Sequence, residues 1–270
     1  MEETKRQNKR LGQVFLKDRN VLQKMLELAA VTPEDIVVEI GCGQGWLSLN
    51  LAQRCKKLYI IELDPFYMAE TQARLAEFTH VTFLSGDVLE VGFGEIIEDR
   101  FRIVANLPYQ ISAKFTKLVI ENRQRVVDVH LMVQEEFARK LEAAPGSDLY
   151  TSLTVYSRYF LEARYLFKVS RNCFRPIPRV DSAVIYLAPL KEPPFQVDTD
   201  LFFKLVQTAF WGRRKTLMSC LSKSPYITVD PAFKALDFFT QNPNLRGETL
   251  SLEGFYGVYQ LLVNHAFLKI

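Results

Sequence analysis

Five short, predominantly apolar runs recur through the first half of the chain, at residues 36–40, 58–61, 81–84, 101–105 and 126–133. Each is rich in Val, Ile, Leu or Phe, the composition of a strand covered on both faces. The segments between them carry apolar residues at helical spacing. Val21, Leu22, Met25, Leu26 and Leu28 give the first such segment one apolar face, with Asn20 as a plausible N-cap and an end near Ala30. Further helices are predicted over 46–54, 65–77, 112–121 and 134–142. Strand alternating with helix predicts an α/β architecture with an open sheet. Residues 149–158 fit helix or strand, and Leu149, Leu153 and Tyr156 on one face favour helix. Two β-rich runs come next, at 161–169 and 180–188. A proline-bearing stretch, 189–199, then separates them from helical patterns at 201–210, 215–221 and 252–265. The pattern therefore divides the chain into an α/β domain over 1–190, opened by a basic arm, and a small all-α domain over 191–270.

The residues that close each strand add chemistry to this outline. The first strand ends in Gly41-Cys42-Gly43-Gln44-Gly45, a glycine-rich turn leading into a helix, which lets a ligand approach the backbone. A dinucleotide fingerprint would need glycine at position 46, where Trp46 stands, so a nicotinamide enzyme is disfavoured. The second strand ends at Glu62, followed by Leu63 and Asp64, and a carboxylate there is placed to accept from ribose hydroxyls. Asp87 closes the third; it could accept from an adenine amine while the Val88 N–H donates to the ring. The fourth closes with Asn106-Leu107-Pro108-Tyr109. Each acid alone has a simpler role as a loop or helix cap. Four such residues at four successive strand ends place them on one sheet edge, where open α/β sheets bind ligands.

The Asn106 loop suits methyl transfer to an aromatic amine. Such an amine is a poor nucleophile because its lone pair is delocalised into the ring. Hydrogen bonds to the Asn106 side-chain oxygen and to a carbonyl at Leu107 or Pro108 would favour a tetrahedral nitrogen, with the lone pair aimed at an incoming methyl. Pro108 has no N–H to compete, and Tyr109 offers a stacking face. No general base is required, since the nitrogen becomes strongly acidic once methylated. A plain strand-ending turn uses the same residue types, so the rest of the chain has to decide.

Composition narrows the choice. The chain has 270 residues, 48% of them hydrophobic, and a net charge of only +3, so a nucleic-acid surface must come from local clustering. Clusters exist: Lys5, Arg6, Lys9 and Arg10 stand in the arm. From Leu201 to Val229 there is no acid beside Lys204, Arg213, Arg214, Lys215 and Lys223, which makes a candidate phosphate-binding surface. Phe174, in a proline-stiffened stretch with Arg175 and Arg179, reads as the rim of a base-stacking site or as a core aromatic. Cys42, Cys55, Cys173 and Cys220 show no paired spacing and the three histidines are isolated, so neither a disulfide framework nor a metal site is expected. No apolar run is long enough to span a membrane, and a soluble, cytoplasmic protein is expected.

Taken together, the motifs closely resemble the KsgA-type ribosomal RNA adenine dimethyltransferases. They are Lys9-Arg10-Leu11-Gly12-Gln13-Val14-Phe15-Leu16, Glu39-Ile40-Gly41-Cys42-Gly43, Ile61-Glu62-Leu63-Asp64, Gly86-Asp87, Asn106-Leu107-Pro108-Tyr109, the segment 174–182 and Arg213-Arg214-Lys215-Thr216-Leu217. The resemblance implies a class I, Rossmann-like S-adenosylmethionine-dependent methyltransferase sheet with helices on both faces. It implies dimethylation of N6 on two adjacent adenosines in the 3′-terminal stem-loop of 16S rRNA, within an assembling small subunit, by a monomer. Carried over by position, Val14, Leu16, Gly41, Gly43, Gly45, Glu62, Leu63, Asp87, Val88 and Asn106 would hold the methyl donor. Asn106, Leu107, Pro108 and Tyr109 would hold the target amine, and Phe174 would stack on the flipped base. Lys9, Arg10, Arg175, Arg179, Arg213, Arg214 and Lys215 would contact RNA. Val14 departs from the Asn or His of many relatives, leaving a backbone contact there. Erm-type 23S rRNA methyltransferases look similar through the catalytic domain, but Arg213–Leu217 and the segment 245–252 favour the KsgA type. A non-catalytic RNA-binding assembly or transcription factor on the same fold is the alternative from another class.

Overall fold

The structure is a computed structural model and describes residues 14–93, 97, 99–212 and 214–269. In chain order the elements are β1 (Phe15–Leu16), α1 (Arg19–Ala29), β2 (Ile36–Ile40), α2 (Trp46–Ala52), β3 (Lys57–Glu62), α3 (Pro65–Arg74), β4 (Val81–Ser85), α4 (Val88–Val91), β5 (Phe101–Asn106), α5 (Ser112–Glu121) and β6 (Val126–Gln134). They continue as α6 (Glu135–Leu141), α7 (Ser152–Phe160), β7 (Leu161–Val169), β8 (Phe174–Arg175), β9 (Ser182–Pro189), α8 (Thr199–Phe210), α9 (Leu217–Ser222), β10 (Thr228–Val229), α10 (Asp237–Gln241), α11 (Leu252–Asn264) and β11 (Leu268–Lys269). All five apolar runs are strands.

The chain forms two compact units. One comprises the described residues of Met1–Ala138 with Leu161–Pro189, the other those of Arg139–Phe160 with Leu190–Ile270. Residues 139–160 thus belong to the second unit rather than to a continuous 1–190 domain. The reason is long-range pairing: the Tyr150 hydroxyl donates to the Leu250 carbonyl at 2.8 Å, Gly146 N–H to the Glu248 carbonyl at 2.6 Å, and Tyr156 packs on Phe203 with ring centroids 4.6 Å apart. The second unit is helical apart from the short antiparallel pair of β10 with β11.

In the first unit a seven-stranded sheet has the order β4-β3-β2-β5-β6-β9-β7. β4, β3, β2, β5 and β6 are parallel, whereas β9 runs antiparallel to both β6 and β7. The chain winds outward from β2 to β4, then returns to lay β5 on the other side of β2. Since parallel crossovers are right-handed, the reversal puts helices on both faces and opens a crevice where β2 and β5 part. The central strands read as near-continuous apolar runs because both faces are buried: Val37, Val38, Ile60, Ile103, Val104 and Val129 have no exposed surface.

Aspartates start several helices. Asp18, not Asn20, caps α1, accepting from the Asn20 and Val21 N–H groups, so that helix begins at Arg19, earlier than the apolar pattern suggests. Asp64 caps α3 with Pro65 at its first position, where the missing N–H costs nothing. Arg102 of β5 staples the sheet's lower edge, donating to Asp128 at 2.8 and 2.9 Å, to Asp35 at 3.1 Å and to the Ala29 carbonyl at 2.7 Å. Among the described residues no helix is long and apolar enough to cross a membrane, and all four cysteines are free thiols.

Candidate functional site

A cavity of about 880 Å³ occupies the β2/β5 crevice. Its walls include Val14, Leu16, Gly41, Gly43, Glu62, Leu63, Asp87, Val88, Asn106, Leu107 and Pro108. The structure thus gathers nearly all the sequence-chosen residues of this group into one space; Gly45 stands just behind as the N-cap of α2, at φ 74°. The glycine turn is tight. A Cβ on Gly43 would lie 3.1 Å from the Phe15 ring, whereas one on Gly41 would meet nothing within 4 Å, so at Gly41 it is the left-handed φ of 74°, not crowding, that calls for glycine.

Two carboxylates shape the far side of the turn. Glu62 accepts from Gly43 N–H at 3.3 Å through Oε2 and from Asp64 N–H at 2.8 Å through Oε1, holding the ends of β2 and β3 together. Oε2 also accepts from the Cys42 thiol at 3.4 Å, so the spare acceptor capacity lies on Oε1. Asp87 uses Oδ1 to cap α4 at the Leu89 N–H, 2.9 Å away, so its capping role leaves Oδ2 able to accept from a ligand. The Val88 N–H makes no hydrogen bond among the described residues.

On the β5 side, the Asn106 Nδ2 donates to the Val14 carbonyl at 3.4 Å. That bond fixes which end of the amide is which, because a carbonyl accepts only from the NH2. Oδ1 is then the end left over; it is buried and has no partner among the described residues. Leu107 donates its N–H to the Met132 carbonyl, and its own carbonyl accepts no backbone hydrogen bond among the described residues. The Pro108 carbonyl accepts from Ile111 at 3.2 Å, which leaves Leu107 as the better second acceptor. An unsatisfied buried acceptor costs ~1–3 kcal/mol, a cost an amine ligand would remove.

Tyr109 is half-buried and its hydroxyl shares a hydrogen bond of 2.7 Å with Ser182; burial pushes its pKa up, with the Ser182 contact opposing. Ser182 is a site residue visible in the sequence only as part of a motif, since nothing local pairs two positions so far apart. Glu39 is another such residue. It lies at the cavity wall with no exposed surface and neither oxygen paired among the described residues. Burial, reinforced by the nearby Glu62 charge and opposed by Ser48, pushes its pKa to about 8.

Phe174 requires a correction. Its ring has no exposed surface and packs in the core with Met25, Val184 and Leu16, so it does not stand at a rim with a face open to a base. The cause is backbone pairing: β8 lies antiparallel to β1, with Leu16 opposite Phe174 and Phe15 opposite Arg175. Arg175 and Arg179 are exposed, and Arg175 turns back on the Asn172 and Phe174 carbonyls. In the second unit Arg214 is exposed, as is Lys215, whose ammonium stands 4.2 Å from the centre of the Trp211 ring. Lys204 is less available than its acid-free neighbourhood suggests, because Asp200, one helical turn earlier, accepts from it at 2.7 Å. Lys9, Arg10 and Arg213 lie outside the described residues.

The sequence profile for "Ribosomal RNA adenine dimethylase" matches residues 4–234. The chain belongs to that family. Among its relatives, ribosomal RNA small subunit methyltransferase A of Clostridium botulinum (strain Loch Maree / Type A3) is 39% identical over 251 residues, covering 92% of this chain and 91% of that protein. The protein of the same name from Protochlamydia amoebophila is 36% identical over 262 residues, covering 94% and 90%. In fold, this dimethylase resembles a dimethyladenosine transferase from Plasmodium falciparum, with TM-score 0.80, 24% identity and coverage of 95% and 100%. It also resembles the 23S rRNA methyltransferase ErmE, with TM-score 0.70, 24% identity and coverage of 92% and 99%. The dimethylase family uses S-adenosylmethionine. The cradle fits this donor: a glycine turn at the strand end, Glu62 with spare acceptor capacity, and a Val88 N–H not yet used.

Proposed function

We propose that this dimethylase transfers methyl groups to N6 of adjacent adenosines near the 3′ end of small-subunit rRNA, in an assembling subunit of the cytoplasm, and acts as a monomer. The observation that carries the reading is the Asn106 Oδ1, buried and without a partner among the described residues, next along the chain to the Leu107 carbonyl. An adenine N6 has two hydrogens, and these are two acceptors. With both hydrogens so held, the nitrogen lone pair leaves conjugation with the ring and turns toward the donor side of the crevice. Bound S-adenosylmethionine supplies an electrophilic methyl on a sulfonium. Glu62 would hold its ribose hydroxyls, Asp87 and the Val88 N–H its adenine, and Leu63, half-exposed at the wall, would cover the ring. Preorganised acceptors of this kind act on the transition state more than on the ground state. Leu16, Gly41, Gly43 and Gly45 shape the donor's seat, while Arg175, Arg179, Arg214 and Lys215, with Lys9, Arg10 and Arg213, are assigned to RNA phosphates. Pro108 holds the loop open and Tyr109 flanks the target.

The small-subunit assignment draws on the relatives' names and their 34–39% identity; the 24% likeness to ErmE concerns the fold. Incubation with labelled donor and unmethylated small or large subunits, followed by mapping of the modified nucleotides, tests it. Paired N6,N6-dimethyladenosines in small-subunit rRNA are expected. Label only in large subunits would move the chain to the Erm-type activity, and donor binding without transfer to either would make it a scaffold.

A further inference from the structure

The loop after β8 presents an apolar tip to solvent. Ile177 is 52% and Val180 46% exposed, among the large apolar side chains least covered in the described residues. They are separated by Pro178 and Arg179, and Arg175 stands exposed on the entering side. Pro176 and Pro178 fix two backbone angles in the stretch, and its base is clamped. Asp181 accepts from Lys168 at 2.8 Å and from the Arg171 N–H at 2.9 Å, and the Arg179 carbonyl accepts from Arg171 at 3.3 Å. No acidic side chain remains free on the tip.

Both ends of the loop are tied to the Asn106 side of the cavity. On the entering side, Arg175 pairs with Phe15, next to Val14, whose carbonyl holds Asn106. On the leaving side, Ser182 holds the Tyr109 hydroxyl. A stiff apolar point between two cations is therefore carried by a loop whose two ends are anchored to the Asn106 side of the crevice. An adenine can present N6 inside the crevice only after leaving its stack, and unstacking is costly unless something fills the gap. Apolar side chains inserted at base steps do this elsewhere, and arginines beside them take the phosphates.

We propose that Ile177, backed by Val180, is a wedge that enters the gap left in the RNA by the extruded adenosine and holds the nucleotide out. The inference rests on the reading of Asn106 as the amine acceptor and adds a residue that acts on RNA conformation rather than on the amine. Ile177 lines neither the donor cavity nor the core, so its role is positioning.

The test uses unmethylated small subunits carrying 2-aminopurine in place of the target adenine, whose fluorescence rises on unstacking, alongside normal subunits for turnover. With the full-length protein, wild type should raise the fluorescence. Ile177→Ala should bind donor normally and still bind subunits, yet lose most of the rise and fall about tenfold in kcat. Ile177→Leu should restore both. A wild-type fluorescence amplitude with Ile177→Ala at saturation overturns the wedge. So does a loss confined to subunit affinity, which would make the tip a docking contact for RNA backbone or ribosomal protein. Failure of wild type itself to methylate adenine in either subunit would instead remove the underlying reading, and the wedge with it.

Discussion

The two sides of the cavity differ in how their polar groups are committed. On the glycine-turn side, the carboxylates already work for the protein: Glu62 binds two backbone N–H groups and Asp87 caps a helix. That side is built before any ligand arrives. On the β5 side, Asn106 commits its NH2 to Val14, and its Oδ1 is buried with no partner among the described residues. Folding energy is held there in a group that a substrate amine would satisfy. On the proposed reading, donor binding and methyl acceptance are then separable: damage to the first side should distort a scaffold, whereas damage to the second should remove chemistry.

Asn106→Ala gives the largest separation. Single-turnover transfer should fall by about 100-fold or more, as for other lost transition-state contacts, while donor affinity measured by calorimetry falls far less. Comparable losses in both would erase the distinction. Glu62→Gln comes next. The Gln NH2 has to face either Gly43 N–H or Asp64 N–H, donor against donor, so donor Kd should rise about tenfold, with transfer at saturating donor nearly kept.

Glu39 is the exception on the glycine-turn side, and it carries the contrast into pH. Its folded pKa of about 8 lies above the ordinary 4.5, so between those values the folded state holds a proton that the unfolded state has released. Stability attributable to this residue is therefore intact below pH 4.5 and declines up to about pH 8. Glu39→Gln should flatten that part of the profile and raise Tm by a few degrees at the upper end of the window; a steeper decline would contradict the burial argument. The smallest effect belongs to Tyr109→Phe. Losing the Ser182 hydrogen bond should lower kcat by about threefold and leave donor binding untouched, as a stopped assay at saturating donor would register.

Much of this arrangement is visible in the chain before folding, for definite reasons. Apolar runs ending in glycine or a polar residue mark strands and their closing loops, because both the two-sided burial of the central strands β2, β3, β5 and β6 and the turn chemistry are local. Long-range pairing is not local. Nothing near Phe174 announces that Leu16 will pair with it and draw its ring inward. Tyr109 gives no hint of Ser182. The helix over 149–158 is legible, but its membership in the second unit depends on Tyr150 reaching Leu250 across a long stretch of chain. Asp18 displaced Asn20 as the cap because its carboxylate reaches two N–H groups at once, a choice spacing alone does not make.

At position 14 a backbone atom does the holding. The grip on Asn106 is a peptide oxygen of Val14, an atom common to every amino acid, so this bond depends on the path of the chain and not on the side group. The change that breaks this bond is one that bends the chain, such as a proline inserted beside it, and not one that swaps the side group.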